Sequence, residues 1–375
     1  MRGSVVKKGS RWYISVYTGM VEGKRTYKWY SGYESMAEAE KALPVIMLEV
    51  QKGIIIDTTN MKASQFFEQW IDDYVTPNTA PATADKYRSA VKAANVVFGN
   101  EKIQKVTGQH IQRYINHLTK ERKSRQTIVS YYNAIKSALN KAAKWKVIAH
   151  NPCVDITLPK EKKKTMKTLS QEEVAALLKT AEGTPMHIII MLAAGCGMRR
   201  GEILGLTWRN IDFARRVIHV SEAYTQSSEG VKMGELKTEA SHRSIDFNDT
   251  IKTILERQKD KQERFIREQE GNVIRIDNNP IDKMKDLQVC TWEDNLPIRP
   301  DYVTKKFQKL VKEAHVQKVR FHDLRHTHAT LLMKAGVPAK VVQERLGHTD
   351  IKITLGLYSH VLPSMQREAA EILTF

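Results

Sequence analysis

Residues 320–336, RFHDLRHTHATLLMKAG, gather three histidines and two arginines where a helix is about to begin. His322 and Arg325, three apart, fall on one helical face, so an imidazole and a guanidinium can converge on one small anion. A phosphodiester suits both groups. The same histidines could instead hold a metal, since His322 and His326 are four apart and His328 is near. The stretch has no HExxH pattern, and no third-ligand motif accompanies it. No metal is therefore expected, and His326 and His328 read as packing or supporting groups.

Three further stretches carry groups of the same kind. In GCGMRRGEILGLTWRNID, Gly195 and Gly197 let the backbone approach closely, Arg199 opens a helix, and Ile203, Leu204 and Leu206 give that helix an apolar face. A helix N-terminus attracts anions, and an arginine there adds a bidentate donor. In GELKTEASHRSI, Lys237 falls at a hairpin turn. In ERLGHTDIKITLGLYSHV, Gly347 ends one helix, His348 follows the break, and Tyr358 comes ten residues later. Taken singly, each has a plain structural use: a turn lysine, a cap residue, a core tyrosine.

Taken together and in this order, Arg199, Lys237, His322, Arg325, His348 and Tyr358, set in GMRRGE, HDLRHTHAT, LGH and YSH, resemble the catalytic set of the tyrosine recombinase, or phage integrase, family. The resemblance implies that Tyr358 attacks a phosphodiester, leaving a 3′-phosphotyrosyl bond and a free 5′-hydroxyl, with neither ATP nor a metal cofactor. Phosphoryl transfer needs positioning and electrostatic relief of the phosphorane, which fixed cations supply. By the same resemblance Arg199, Arg325 and His348 take that role, His322 assists the nucleophile, and Lys237 protonates the leaving 5′-oxygen. A phenol with a pKa of about 10 needs such help to attack at neutral pH. Glu202, three residues after Arg199, is expected to orient an arginine.

These groups must be carried by a larger frame. The chain has 375 residues, enough for two or three domains. The expected architecture is multidomain: a small β-sheet plus helix arm-binding module at 1–56, an all-α core-binding domain at 60–152, a linker at 153–168, and a mainly α (α+β) catalytic domain at 169–375 that includes a C-terminal tail. The first segment alternates apolar and polar residues in two or three short strands. SMAE at 35–38 then has capping-box spacing and opens a helix running to about Gly53. Trp12, Tyr13, Tyr27 and Trp29 read as the core of this module; alternatively its sheet face lies on DNA, with Lys7, Lys8, Arg11, Lys24, Arg25 and Lys28 on phosphates.

The second segment reads as helices near 63–75, 81–98, 108–121 and 125–147. In the last of these Ile128, Tyr132, Ile135, Leu139 and Ala142 share one face, with Asn133, Asn140, Lys141 and Lys144 opposite. The third segment opens with a capping box at Ser170 and Glu173. Strands follow in RVIHVSEAYT and near SHRSIDF, with helices near 250–269, 301–315, 322–335, 338–346 and 350–357. Residues 271–297 match no functional motif and read as a peripheral insertion or loop. In SMQREAAEILTF, Met365, Ala369, Ile372 and Leu373 form an apolar stripe that packs in cis or, as such tails in this family often do, on a neighbouring protomer.

Charge points to the partner. The chain carries 60 Lys and Arg against 42 Asp and Glu, a formal net charge of +18. The excess is uneven: residues 57–164 hold 19 basic against 9 acidic side chains, whereas residues 165–375 hold 32 against 28. A basic surplus in the helical segment fits a surface that tracks a phosphate backbone, and Lys141 and Lys144 are candidates there. Cys153, Cys196 and Cys290 are far apart, with no CxxC pair, and there is neither a signal peptide nor a membrane span, so a cytoplasmic location is expected. The resemblance implies a site-specific recombinase that integrates and excises a mobile element or prophage. Its partners would be double-stranded DNA with specific attachment sites, three further copies in a homotetramer, and an accessory DNA-bending or excision factor. Three other readings compete: a regulator that kept the fold, a type IB topoisomerase, and a resolvase of chromosome dimers. The six residues argue against the first, and the N-terminal sheet module argues against the other two.

Overall fold

The structure is a computed structural model of the chain and describes residues 3–21, 24–51, 61–160, 167–228, 230–235, 242–270 and 284–351. It divides into two compact units, Met1–Lys162 and Lys163–Phe375. The first unit begins with an antiparallel sheet of β1 (Gly3–Lys8), β2 (Arg11–Val21) and β3 (Lys24–Tyr33) in the order β1-β2-β3. Ser35 Oγ accepts the Glu38 N–H at 3.2 Å and starts α1 (Met36–Gln51).

Strand alternation decides which aromatic residues enter the core of this module. Ile14 and Val16 point to the side that α1 covers and are buried with Ala39 and Ile46. Trp12 packs only partly against them. Trp29 and Tyr27 pair with Ser15 and Tyr17, at positions of the opposite parity, and stay 42% and 48% exposed. Tyr27 and Trp29 are therefore outside the core, Trp12 and Tyr13 are half-buried with Trp12 against its edge, and the aliphatic residues make its centre.

The helical part of the first unit is α2 (Ala63–Trp70), extended through a π-turn (Ile71–Val75) into α3 (Thr76–Asn78), then α4 (Pro81–Phe98), α5 (Gly108–Lys120) and α6 (Arg125–Lys144). Its core includes Phe66, Phe67, Trp70, Phe98, Tyr114 and the expected α6 face of Ile128, Tyr132, Ile135, Leu139 and Ala142. Asn133, Asn140 and Lys144 are exposed. Residues 153–160 are irregular, yet they are held to this core: Cys153 is buried, Ile156 and Leu158 pack against it, and Thr157 exchanges two hydrogen bonds with the Gln112 amide.

The second unit comprises α7 (Gln171–Thr180), α8 (Met186–Cys196), α9 (Arg200–Gly205), β4 (Ile211–Asp212), β5 (Val217–Val220), β6 (Glu222–Ser227), β7 (Gly230–Glu235), β8 (Arg243–Asp246), α10 (Asp249–Glu270), α11 (Pro300–Glu313), α12 (Asp323–Lys334) and α13 (Ala339–Leu346). The strands form a β4-β5-β8 sheet and a β6-β7 hairpin. The Ser170 capping box closes as expected, with Ser170 Oγ accepting from Glu173 N–H at 3.2 Å and Glu173 Oε2 from Ser170 N–H at 2.8 Å. Helix α8, MHIIIMLAAGC, is apolar nearly all round and runs through the core, so the polar segments at its C-terminal end are built on a fixed support. Residues 284–297 are no peripheral loop: Met284, Val289 and Cys290 are buried in this core, and Val289 N–H donates to Leu206 O at 2.8 Å. The expected helix at 350–357 and the tail stripe lie outside the described residues, except for positions 350 and 351.

Candidate active site

Gly197 is where the site begins. It ends α8 with φ 65° and ψ 21°, a left-handed conformation suited to glycine, and a Cβ added there would lie 2.7 Å from His328 Cδ2. The reversal lets Arg199 occupy the N-cap of α9 with extended backbone. Glu202, at the third position of that helix, accepts the Arg199 N–H at 2.8 Å and Arg199 Nη1 at 2.6 Å. The Arg199 side chain also donates through Nη2 to Gly347 O at 3.5 Å.

Glu202 is 2% exposed and is shared by two arginines, for Arg243 of β8 donates Nη1 to its Oε1 at 3.1 Å and Nη2 to its Oε2 at 2.7 Å. Burial alone would raise this carboxyl. The Arg243 hydrogen bonds and charge, then those of Arg199, outweigh burial and bring it down to about 2. Glu202 is thus an anion at neutral pH that accepts hydrogen bonds from both Arg199 and Arg243.

Arg325 lies within α12, 2% exposed, donating Nη1 to Gly197 O at 2.7 Å and Nη2 to Leu346 O. His322, at the N-cap of α12, is exposed, and its ring meets the His326 ring edge-on with centroids 5.1 Å apart. Local desolvation, then the Arg325 charge, lowers the His322 pKa. Gly347 ends α13 with φ 63° and ψ 48°, and the turn brings His348 out half-buried, its N–H on Gln343 O at 3.1 Å. Burial, then Arg325 and Arg199, push His348 down to about 4. Near neutral pH, with no DNA bound, it is therefore an N–H donor, and an incoming phosphate would raise its pKa.

Backbone carbonyls of Gly197, Leu346 and Gly347 thus tie together the segments that carry Arg199, Arg325 and His348. His326 and His328 support them. Burial, then the His322 charge, bring His326 down to about 4. His328 is 5% exposed and pairs Nδ1 with Ala194 O at 2.8 Å. Lys237 and Tyr358 lie outside the described residues. Two partners were missed from sequence, Arg243 and Arg345. Each is an arginine on a short polar stretch, and the available signals were the RSI alternation around Arg243 and the place of Arg345 directly before LGH.

Among the candidate DNA contacts, Lys7, Lys8, Arg11 and Arg25 are exposed, and the side chains of Lys24 and Lys28 lie outside the description. Lys8 Nζ sits 3.6 Å from the Trp29 ring centroid. Lys144 is exposed. Lys141 is half-buried, its Nζ 3.8 Å from the Tyr74 ring centroid and 5.4 Å from that of Trp145.

The phage integrase family pattern matches residues 167–365, the N-terminal SAM-like domain of phage integrases residues 63–119, and an arm DNA-binding domain residues 4–50. A XerC-like tyrosine recombinase of Caldanaerobacter subterraneus is 30% identical over 98% of this chain and 97% of its own length. The ICEBs1 integrase of Bacillus subtilis is 28% identical over 72% of this chain and 71% of its own length. The Tn1549 transposon integrase, solved in complex with a circular intermediate DNA, shares the fold with a TM-score of 0.66 at 21% identity, over 82% of this chain and 99% of that one. A lambda integrase tetramer bound to a Holliday junction shares it with a TM-score of 0.57 at 15% identity, over 88% and 89%. The matches along the chain have one common explanation: the chain belongs to the phage integrase family of tyrosine recombinases.

Proposed function

We propose that Arg199, Arg325, His348, His322, Lys237 and Tyr358 form one active site for breaking and rejoining DNA. The chain is a site-specific DNA recombinase of the integrase kind, and it integrates and excises a mobile element. In the proposed reaction the Tyr358 oxygen attacks phosphorus, its proton passing towards His322. The P–O5′ bond breaks, and Lys237 protonates the departing 5′-oxygen. The product is a 3′-phosphotyrosyl link, and a 5′-hydroxyl of a second strand reverses the same steps to join it, first to a Holliday junction and then to recombinant duplexes. Arg199 and Arg325 neutralise the equatorial oxygens, and His348 donates a hydrogen bond to one of them.

What supports this reading most is one observation: Arg325, from α12, donates to the carbonyls of Gly197 and Leu346, two residues before Arg199 and two before His348. Three distant segments are thereby brought to one place. Around this site we propose an arm-binding module at 1–56, a core-binding helical domain at 60–152, a linker from 153 to 168 and a catalytic domain from 169, with four copies acting on two synapsed DNA sites. An accessory DNA-bending or excision factor is a further proposed partner. No helix among the described residues is long and apolar enough to cross a membrane. The three cysteines are free and buried, which supports a cytoplasmic location.

The test is strand exchange. Two duplexes of different length, each carrying the DNA that flanks the chain's own gene, should yield recombinants of new length with the wild-type protein. Relaxation of supercoiled plasmid with no exchanged product, even with cell extract added, would favour a topoisomerase instead.

A further inference from the structure

Arg345 stands outside the proposed catalytic groups, yet it directly precedes the turn that carries His348. Its guanidinium spreads over three acceptors on three elements. Nε donates to His328 Nε2 on α12 at 3.1 Å, and Nη2 donates to Asp246 O at the end of β8 at 2.9 Å and to Gly195 O near the end of α8 at 3.3 Å. The Arg345 carbonyl accepts Arg243 Nε at 2.9 Å. The two carbonyls that follow are those on which Arg325 and Arg199 rest, at Leu346 and Gly347.

We infer that Arg345 is a positioning residue for the strand-cleavage step: it pins the Leu346–His348 turn to α8, β8 and α12, and so sets where Arg199, Arg325 and His348 meet the scissile phosphate. The inference rests on the recombinase reading given above. It also assigns His328 a task beyond packing. With Nδ1–H donated to Ala194 O, the ring keeps a lone pair on Nε2 for Arg345. The charged groups acting on that ring are Arg345 and Arg325; burial, then the Arg345 charge, bring it down to about 4, so at neutral pH the lone pair is present.

Guanidinium geometry explains why an arginine stands there. A planar fork reaches acceptors in separate directions, whereas one ammonium cannot span carbonyls on two elements and a ring nitrogen on a third. The residue before an active-site turn has no need of three inward contacts if its role is solubility.

The experiment uses the full chain and nicked duplex carrying its core site, and reads two quantities separately: DNA affinity, and the rate of covalent complex formation at saturating protein. Arg345→Met should slow the saturated rate roughly 100-fold, the order expected of a displacement of about 1 Å at reacting atoms. Its DNA affinity should stay near wild type. Arg345→Lys should fall between the two and serves as the measurement if the methionine variant does not fold. The decisive pair is at His328. Phenylalanine fills the ring's volume but cannot accept a hydrogen bond, whereas glutamine can present an oxygen near the position of Nε2. His328→Phe should be slow and His328→Gln should recover much of the rate.

The opposite order, with phenylalanine as active as wild type and glutamine impaired, would show that the ring only packs and would overturn the assignment. Lost DNA affinity with an unchanged saturated rate would do so too, by making Arg345 a DNA contact. If the wild type itself forms no covalent complex, the recombinase reading fails and takes this inference with it. Losses confined to the variants leave that reading standing.

Discussion

A single buried carboxylate holds two arginines in the site, and its chemistry is open to a pH test. Glu202 titrates near 2 in the folded chain against an ordinary 4.5, so it stabilises the fold above pH 4.5 and that contribution fades as pH falls towards 2. A shift of that size corresponds to ~3 kcal/mol at 1.36 kcal/mol per unit. Three histidines act earlier. His326, His328 and His348 are brought from 6.5 to about 4, so each favours the folded state above 6.5 and loses that contribution as pH falls through 4. Glu202→Gln should destabilise the chain at neutral pH by about 3–5 kcal/mol, because it strands Arg243, which is 5% exposed, beside an uncharged amide. Urea titrations across pH should show the variant lacking the part of the acid loss below 4.5; an identical acid profile would contradict the role given to Glu202. At this scale the sequence was readable wherever partners were near neighbours. Arg199 and Glu202 are three apart and on one turn. The partners of Arg243 and Arg345 were not readable, because their contacts span 41 residues to Glu202 and 150 to Gly195.

The elements matter because they turn the chain sharply at two glycines. Gly197 and Gly347 each end a helix in left-handed geometry, and the residues just beyond them carry Arg199 and His348. Gly197→Ala should cost about 1–3 kcal/mol from backbone strain alone. The loss should be larger still because the new methyl would press on His328 and Leu346, with contacts of 2.7 and 2.8 Å. Chemical denaturation would read the stability change; a variant as stable as wild type would contradict the account of this turn. Helix positions were legible because capping residues and apolar spacing are local signals: Ser170 with Glu173, and the α6 stripe, fell where periodicity put them. The aromatic residues of the N-terminal sheet misled, since composition says how much a module can bury while strand parity says which residues it buries. Residues 284–297 misled for a related reason: their motif-free sequence hides Val289 and Cys290, which are buried beside a strand-like bond from Val289 to Leu206 far back in the chain.

Across the whole molecule, a basic chain with net charge +18 concentrates its surplus before the catalytic unit. Removing residues 1–56 should abolish binding to separate arm sites while leaving core-site cleavage in place, and mobility shifts on arm and core DNA would check it; undiminished arm binding would contradict the three-part proposal. The family and its architecture were legible because the motifs sit in short uninterrupted stretches, whereas Lys237 and Tyr358 rest on sequence alone, beyond the described residues. Cleavage stands or falls with the Tyr358 oxygen. Wild type and Tyr358→Phe would be incubated with nicked, end-labelled DNA from the flanks of the chain's own gene and resolved on denaturing gels. Label should be retained on protein with the wild type and not with Tyr358→Phe, with equal mobility shifts for both under native conditions. Label retained by both proteins would contradict this by moving the nucleophile away from Tyr358, and native shifts with no covalent product from either would contradict it by leaving a DNA-binding protein that does not cleave.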